Sequence, residues 1–175
     1  MEDAVAVHSD VAGHTCVAVF DGHGGDKAAK LAKEVLPQKL DHHLRLATDK
    51  ENAIIEAFEA AEGCMYQELA DEASLSPSGT SSGTVACVAL LQEKELLFVN
   101  LGDCRAVICD GAKVTVVAVK ESTEFVVLAT DGIWDALQEQ TVLTTARKVL
   151  RESRSSEAAA QAVLESAAKV SKADN

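Results

Sequence analysis

Val17-Ala18-Val19-Phe20 runs directly into Asp21-Gly22-His23-Gly24-Gly25-Asp26. Four apolar residues in a row read as a strand buried on both faces. Asp21 then falls at the strand's end, where the backbone leaves the sheet and a side chain can enter a cleft. The glycines at 22, 24 and 25 permit backbone conformations that a Cβ forbids, and they leave carbonyls open to approach. A carboxylate beside an exposed carbonyl is ligand chemistry for a hard divalent cation. His23 adds an imidazole, the group most used for proton transfer. Alone this is little more than a turn, because many strands end in Asp-Gly. Its recurrence carries more weight. Glu124-Phe125-Val126-Val127-Leu128-Ala129-Thr130 is a second apolar strand, and it delivers Asp131-Gly132, followed by Ile133-Trp134-Asp135. Two buried strands that each end in Asp can bring two carboxylates to one metal site.

Aromatic residues make up only 3% of the 175-residue chain, so its core must be built from Ala, Val and Leu. A formal net charge of −12 argues against nucleic acid or an anionic membrane surface as the main partner. The cysteines at 16, 64, 87, 104 and 109 form no C-x-x-C pair and mostly sit in apolar surroundings. That pattern fits buried, reduced thiols in an intracellular protein, in the cytoplasm or nucleus. No signal-peptide pattern opens the chain, and no apolar run approaches the roughly 20 residues needed to cross a bilayer.

Taken in order, residues 4–8 and 14–20 read as strands joined by a turn, with the chain starting unusually close to its first strand. Asp26 is placed to cap a helix whose apolar face is Ala28, Ala29, Leu31, Ala32, Val35 and Leu36. Pro37 should kink or end that helix, with apolar character continuing to about 46. His42 and His43 read as surface residues. Thr48-x-x-Glu51 has the form of a capping box for a second helix, with Ile54, Ile55, Phe58, Ala61, Met65 and Leu69 facing the core. A loop is expected over 74–82, then strands over 83–91, 95–101 and 104–109, the first two forming a hairpin. Residues 113–120 are strand-like, and helices are expected over 138–151 and 156–170, the second capped by Ser155 or Ser156. Short hairpin-linked strands with segregated helices imply antiparallel sheets with helices packed outside them.

Met1-Glu2-Asp3, Asp21-Gly22-His23-Gly24-Gly25, Ser82-Gly83-Thr84, Gly102-Asp103-Cys104-Arg105, Asp131-Gly132-Ile133-Trp134-Asp135 and Asp174-Asn175 occur in that order. Together they resemble the metal-dependent protein serine/threonine phosphatases of the type 2C (PPM) family, over essentially the whole chain. The resemblance implies an α+β fold, an α-β-β-α sandwich of two antiparallel sheets flanked by helices, with residues 1–175 as a single, partial domain. It implies two Mn²⁺ or Mg²⁺ ions in the cleft at the sheets' ends. Asp21 would bridge them, the Gly22 carbonyl would bind one, and Asp131 and Asp174 the other. Glu2 and Asp3 would hold metal-bound waters, and Asp103 and Asp135, with Asp131, resemble a third, weaker metal site. His23 would be the general acid for the departing alkoxide. The implied reaction is hydrolysis of phosphoserine and phosphothreonine by a metal-activated water, with phosphoproteins as partners.

Three family features are missing: an arginine just before Met1-Glu2-Asp3, an internal segment of several tens of residues after the strand at 104–109, and a strand after Asp174-Asn175. A second reading is therefore a weak or inactive relic acting as a metal-binding or interaction domain. A third, an acidic α+β domain without a site, requires that Mn²⁺ leave the melting temperature unchanged. Open sheet edges predict low stability or self-association of an otherwise monomeric protein.

Overall fold

The computed structural model describes residues 2–73, 82–108, 116–118 and 123–173. Strands β1 (Ala4–Val11) and β2 (His14–His23) form a hairpin, followed by helices α1 (Lys27–Leu46) and α2 (Lys50–Ala73). Then come β3 (Gly83–Gln92), β4 (Glu95–Leu101), β5 (Arg105–Ile108), β6 (Val116–Ala118) and β7 (Val126–Ala129). A single turn, α3 (Asp131–Trp134), leads into α4 (Glu139–Ser153) and α5 (Ser156–Ala173). One sheet has the order β1-β2-β3-β4-β6 and the other is β5-β7, and every pairing is antiparallel.

The layers follow from the period of two along each strand. On β2, Cys16, Ala18 and Phe20 join Ala29, Ala32, Leu36, Leu40, Ile54 and Ala57 in the core under α1 and α2. The intervening Val19 points the other way and meets Cys87, Cys104, Ala106 and Leu128 between the sheets. Ala89, Leu96, Phe98 and Val126 extend that inter-sheet layer. On the far side of β7, Val127 and Ala129 pack with Ile133, Val142, Ala146, Ala159, Val163 and Ala167 of the later helices. The stack is helix, sheet, sheet, helix, the α-β-β-α sandwich expected. Its core is built from Ala, Val and Leu, with Phe20 its largest fully buried side chain.

Local details depart from expectation in four places. Asp26 occupies the N-cap of α1 but makes no side-chain cap bond, because its carboxylate pairs with Lys30 one turn on. α1 is not ended by Pro37, which is buried within the helix. α2 is capped by Asp49, whose Oδ1 accepts from the backbone N–H groups of Glu51 (3.0 Å) and Asn52 (3.3 Å), and not by Thr48. Ile55 is 56% exposed, and Ala53 and Ala57 take inward positions instead. Ser155 caps α5, accepting from Ala158 N–H at 3.1 Å. The expected loop over 74–82 (Ser82 excepted), most of the strand over 113–120, Cys109, and Asp174-Asn175 lie outside the described residues.

Candidate metal centre

β2 carries Asp21 on the face of Val19, two residues further along, so the carboxylate emerges at the open end of the inter-sheet layer. There the chain's first residues close over it. A Cβ on Gly22 would lie 2.4 Å from the Glu2 carbonyl oxygen, so only glycine lets the two backbones approach this closely. Glu2 reaches across the glycine turn, its Oε2 accepting from Gly25 N–H at 3.3 Å. Asp3 turns toward β7, where its Oδ2 accepts from the Thr130 hydroxyl at 3.0 Å. Thr130 is the residue before α3, and Asp131 begins that turn.

The carboxylates crowd one another. The Asp21 carboxyl is pushed up to about 6 by burial, by the charges of Asp3 and Asp131, by a side-chain hydrogen bond with Asp131, and by the charge of Asp103. Asp103 arrives by a different route. Gly102, at φ +107°, turns the chain out of β4 toward β5 in the other sheet, and a Cβ there would strike the Val85 side chain at 2.4 Å. The turn leaves Asp103 exposed and buries Cys104 beside it. Donor atoms of Asp21, Asp103 and Cys104 all lie within 4.8 Å of one another. The Cys104 thiol is pushed up to about 12 by burial first, then by the charges of Asp21, Cys87 and Asp103. Carboxylate oxygens gathered this closely have the donor chemistry a divalent ion requires.

Neighbouring residues fix the loop that carries Gly22 to Gly25. The Ser82 hydroxyl donates to Gly25 O at 2.8 Å and accepts from Ala28 N–H at 3.2 Å, tying the loop to α1. The Thr84 hydroxyl donates to Asp21 O at 2.8 Å. His23 is exposed and sits opposite Gly83 in the register. A Cβ on Gly83 would lie 2.4 Å from His23 Nε2, so the imidazole occupies space that only glycine leaves free.

Among the sequence-derived site residues, Asp3, Asp21, Asp103 and Asp131 share this cleft, with Gly22 and Glu2 at its rim. Asp135 stands just past α3, exposed, and no described side-chain bond joins it to the cluster. Asp174 lies outside the described residues. Sequence reasoning missed the parts played by Gly83, Thr130 and Cys104. Only the position of Cys104 next to Asp103 could have pointed to one of them. A hollow beside Gln92, Glu93, Lys94 and Glu95 lies at the other end of β3 and contains none of these groups.

Solved structures share this arrangement of layers, a protein phosphatase among them. A serine-threonine phosphatase 2C from Toxoplasma gondii superposes with a TM-score of 0.72, at 15% identity, over 99% of this chain and 86% of that one. A C. elegans sex determining protein gives a TM-score of 0.74 at 16% identity, over 94% of this chain and 58% of that one. In sequence, the family model Protein phosphatase 2C matches residues 6–115 and 112–175. The chain therefore belongs to the protein phosphatase 2C family. It is 36% identical to Protein phosphatase 1L of Bos taurus over 124 residues, 63% of this chain and 32% of that protein. It is 27% identical to Probable protein phosphatase 2C 59 of Oryza sativa subsp. japonica over 215 residues, 90% of this chain and 63% of that protein. The chain thus spans about a third of the bovine relative and less than two thirds of the rice one. The rice alignment is longer than the chain itself, so it opens gaps in this sequence. The two family-model stretches meet at 112–115, where the internal segment is expected to be missing.

Proposed function

We propose that this chain is a single, partial catalytic domain that hydrolyses phosphoserine and phosphothreonine in proteins with the help of Mn²⁺ or Mg²⁺. The observation that carries the reading is the convergence of Asp3, Asp21, Asp103 and Asp131 on one cleft, from four separate stretches of chain, in a family of phosphatases. Bound divalent ions would supply a nucleophilic water at neutral pH and offset charge on the phosphoryl oxygens. Asp21 would hold two ions, with the Gly22 carbonyl on one and Asp131 and Asp174 on the other. Asp103, Asp131 and Asp135 would form a third, weaker site. Glu2 and Asp3 would orient water around the ions. His23, exposed at the rim, would pass a proton to the departing serine or threonine oxygen. Ser82 and Thr84 would keep the glycine turn and the Asp21 backbone in place.

The partners in this reading are phosphoproteins, met inside the cell by a chain that is monomeric when dilute and self-associates through its open sheet edges as concentration rises. Among the described residues no helix is long and apolar enough to cross a membrane, and Cys16, Cys64, Cys87 and Cys104 are free thiols.

One observation favours a second reading. The described second sheet has two strands against five in the first, and the family model matches this chain as two stretches that meet at 112–115. A domain that binds metal without turnover fits that shortage. Hydrolysis of a small phosphomonoester with Mn²⁺, abolished in Asp131→Asn, supports the enzyme. Mn²⁺ binding with no hydrolysis of the phosphomonoester or of a phosphothreonine peptide supports the relic and overturns the enzyme.

A further inference from the structure

Asp131 reaches the cleft from α3, a turn of four residues. Few backbone bonds hold that turn: Ile133 N–H to Thr130 O at 3.2 Å, Asp135 N–H to Asp131 O at 2.8 Å and Leu137 N–H to Ile133 O at 2.9 Å. A single turn fixes several torsions for few hydrogen bonds, so surrounding side chains must keep it in place. Thr130, at its N-cap, makes no cap bond, and its hydroxyl donates to Asp3 instead. At the far end, Trp134 Nε1 donates to Ala129 O at 2.8 Å and folds the indole back onto the end of β7. Arg105 stands opposite Ala129 in the strand register, and its guanidinium carbon lies 5.8 Å from the centroid of the Trp134 ring. Arg105 Nη1 also donates to Glu139 Oε1 at 2.7 Å, at the first residue of α4. One guanidinium therefore ties β5, α3 and α4 together.

We propose that Arg105 is a positioning residue: by clamping Trp134 and Glu139 it fixes the α3 turn, and so sets where the Asp131 carboxylate stands beside Asp21. This rests on reading the cleft as a metal centre. Arg105 and Glu139 are both exposed, and an exposed ion pair by itself adds little stability, so the clamp acts on geometry. A planar guanidinium can lie over an indole and donate along its edge at the same time, which a lysine ammonium does not do. The sign of the effect separates this role from plain electrostatics. A positive charge two residues from Asp103 repels a divalent ion, so losing the charge alone would tighten ion binding. Losing the clamp loosens it.

Trp134 is the chain's only tryptophan, so its fluorescence reports on the clamp directly. Mg²⁺ is the probe, because it lacks the paramagnetic quenching of Mn²⁺. Titrating the full chain with Mg²⁺ should give a saturable change in Trp134 emission and a rise in melting temperature. Arg105→Ala should weaken Mg²⁺ binding about tenfold or more, the usual scale for losing a residue that supports metal ligands, and leave the metal-free melting temperature nearly unchanged. Arg105→Lys should not restore the affinity. Arg45→Ala, which breaks an exposed pair with Asp41 on α1, should bind Mg²⁺ like the parent chain. Unchanged or tighter binding in Arg105→Ala, or in Glu139→Ala where the first variant does not fold, overturns the clamp and leaves the metal centre standing. So does full recovery in Arg105→Lys, or a melting temperature that rises while Trp134 emission stays constant. A parent chain whose emission and melting temperature both ignore Mg²⁺ overturns the metal centre and the clamp with it.

Discussion

Asp21 meets Asp131 closely enough to hydrogen-bond, and a carboxyl so placed is a proton trap until a cation replaces the proton. Its folded pKa, about 6, stands above the usual Asp value of about 3.9. A raised pKa stabilises the fold below the unfolded value and loses that contribution as pH rises through about 6. The metal-free protein should therefore lose stability between about pH 4 and pH 7, and Asp21→Asn should flatten that slope. Because Mn²⁺ must displace the proton, its affinity should fall about tenfold per pH unit below about 6. Melting curves at several pH values, with and without Mn²⁺, check both, and a pH-independent affinity would contradict them.

His23 offers a second test at the same scale. His23→Ala should slow hydrolysis of an alkyl phosphate about 100-fold or more, because a poor leaving group needs its proton. Gly83→Ala should give much of the same loss with little change in melting temperature, since the added Cβ meets only the movable end of the His23 ring. An unchanged alkyl phosphate rate in His23→Ala would remove its role as acid. Asp21, Asp131 and His23 were legible in the sequence because each follows an apolar run that must end somewhere. Gly83 and Thr130 were not. Their importance comes from strand register and from a contact 127 residues apart, neither of which local pattern encodes.

At the scale of elements, the connection from β4 to β5 is what moves the chain from one sheet to the other. Gly102 makes it possible with φ +107° and no side chain against Val85. Gly102→Ala meets both obstacles at once and should destabilise by about 1–3 kcal/mol or more. It should also displace Asp103 and Cys104 from the cleft. Urea unfolding measures the first effect, and a midpoint equal to that of the parent chain would contradict it. The strands were readable from apolar runs bounded by turn residues. Beyond the two hairpins, β1 with β2 and β3 with β4, which strands share a sheet was not, because runs apolar on both faces look alike in either layer. Helix ends also misled. Thr48 and Asp49 are both good caps, and only the backbone geometry decides that Asp49 accepts the two bonds. Pro37 looked like a stop, yet the helix spans it with the ring buried.

At the scale of the whole molecule, five strands face two among those described, and part of the first sheet's inner face is uncovered. Val5 and Val7 alternate with the buried Ala6 on β1 and are 53% and 67% exposed. Bare apolar positions beside an edge strand favour association. Sedimentation should show a concentration-dependent shift to larger species, reduced in Val7→Lys. A sharp monomer at all concentrations would contradict it. The order of elements already implied antiparallel sheets with helices outside them, and the family resemblance added the four-layer sandwich; which helices cover which sheet was not legible, since composition and periodicity specify layers but not their partners.

All of this turns on whether the gathered carboxylates hold divalent cations, and the melting temperature with and without Mn²⁺ tests that most directly. At a hundredfold excess over Kd, a ligand bound only by the folded state adds about 2.7 kcal/mol. For a chain of this size that is a rise of roughly 5–10 °C. The rise should be present in the parent chain and absent in Asp21→Asn. Identical curves with and without Mn²⁺ for the parent chain would contradict the account.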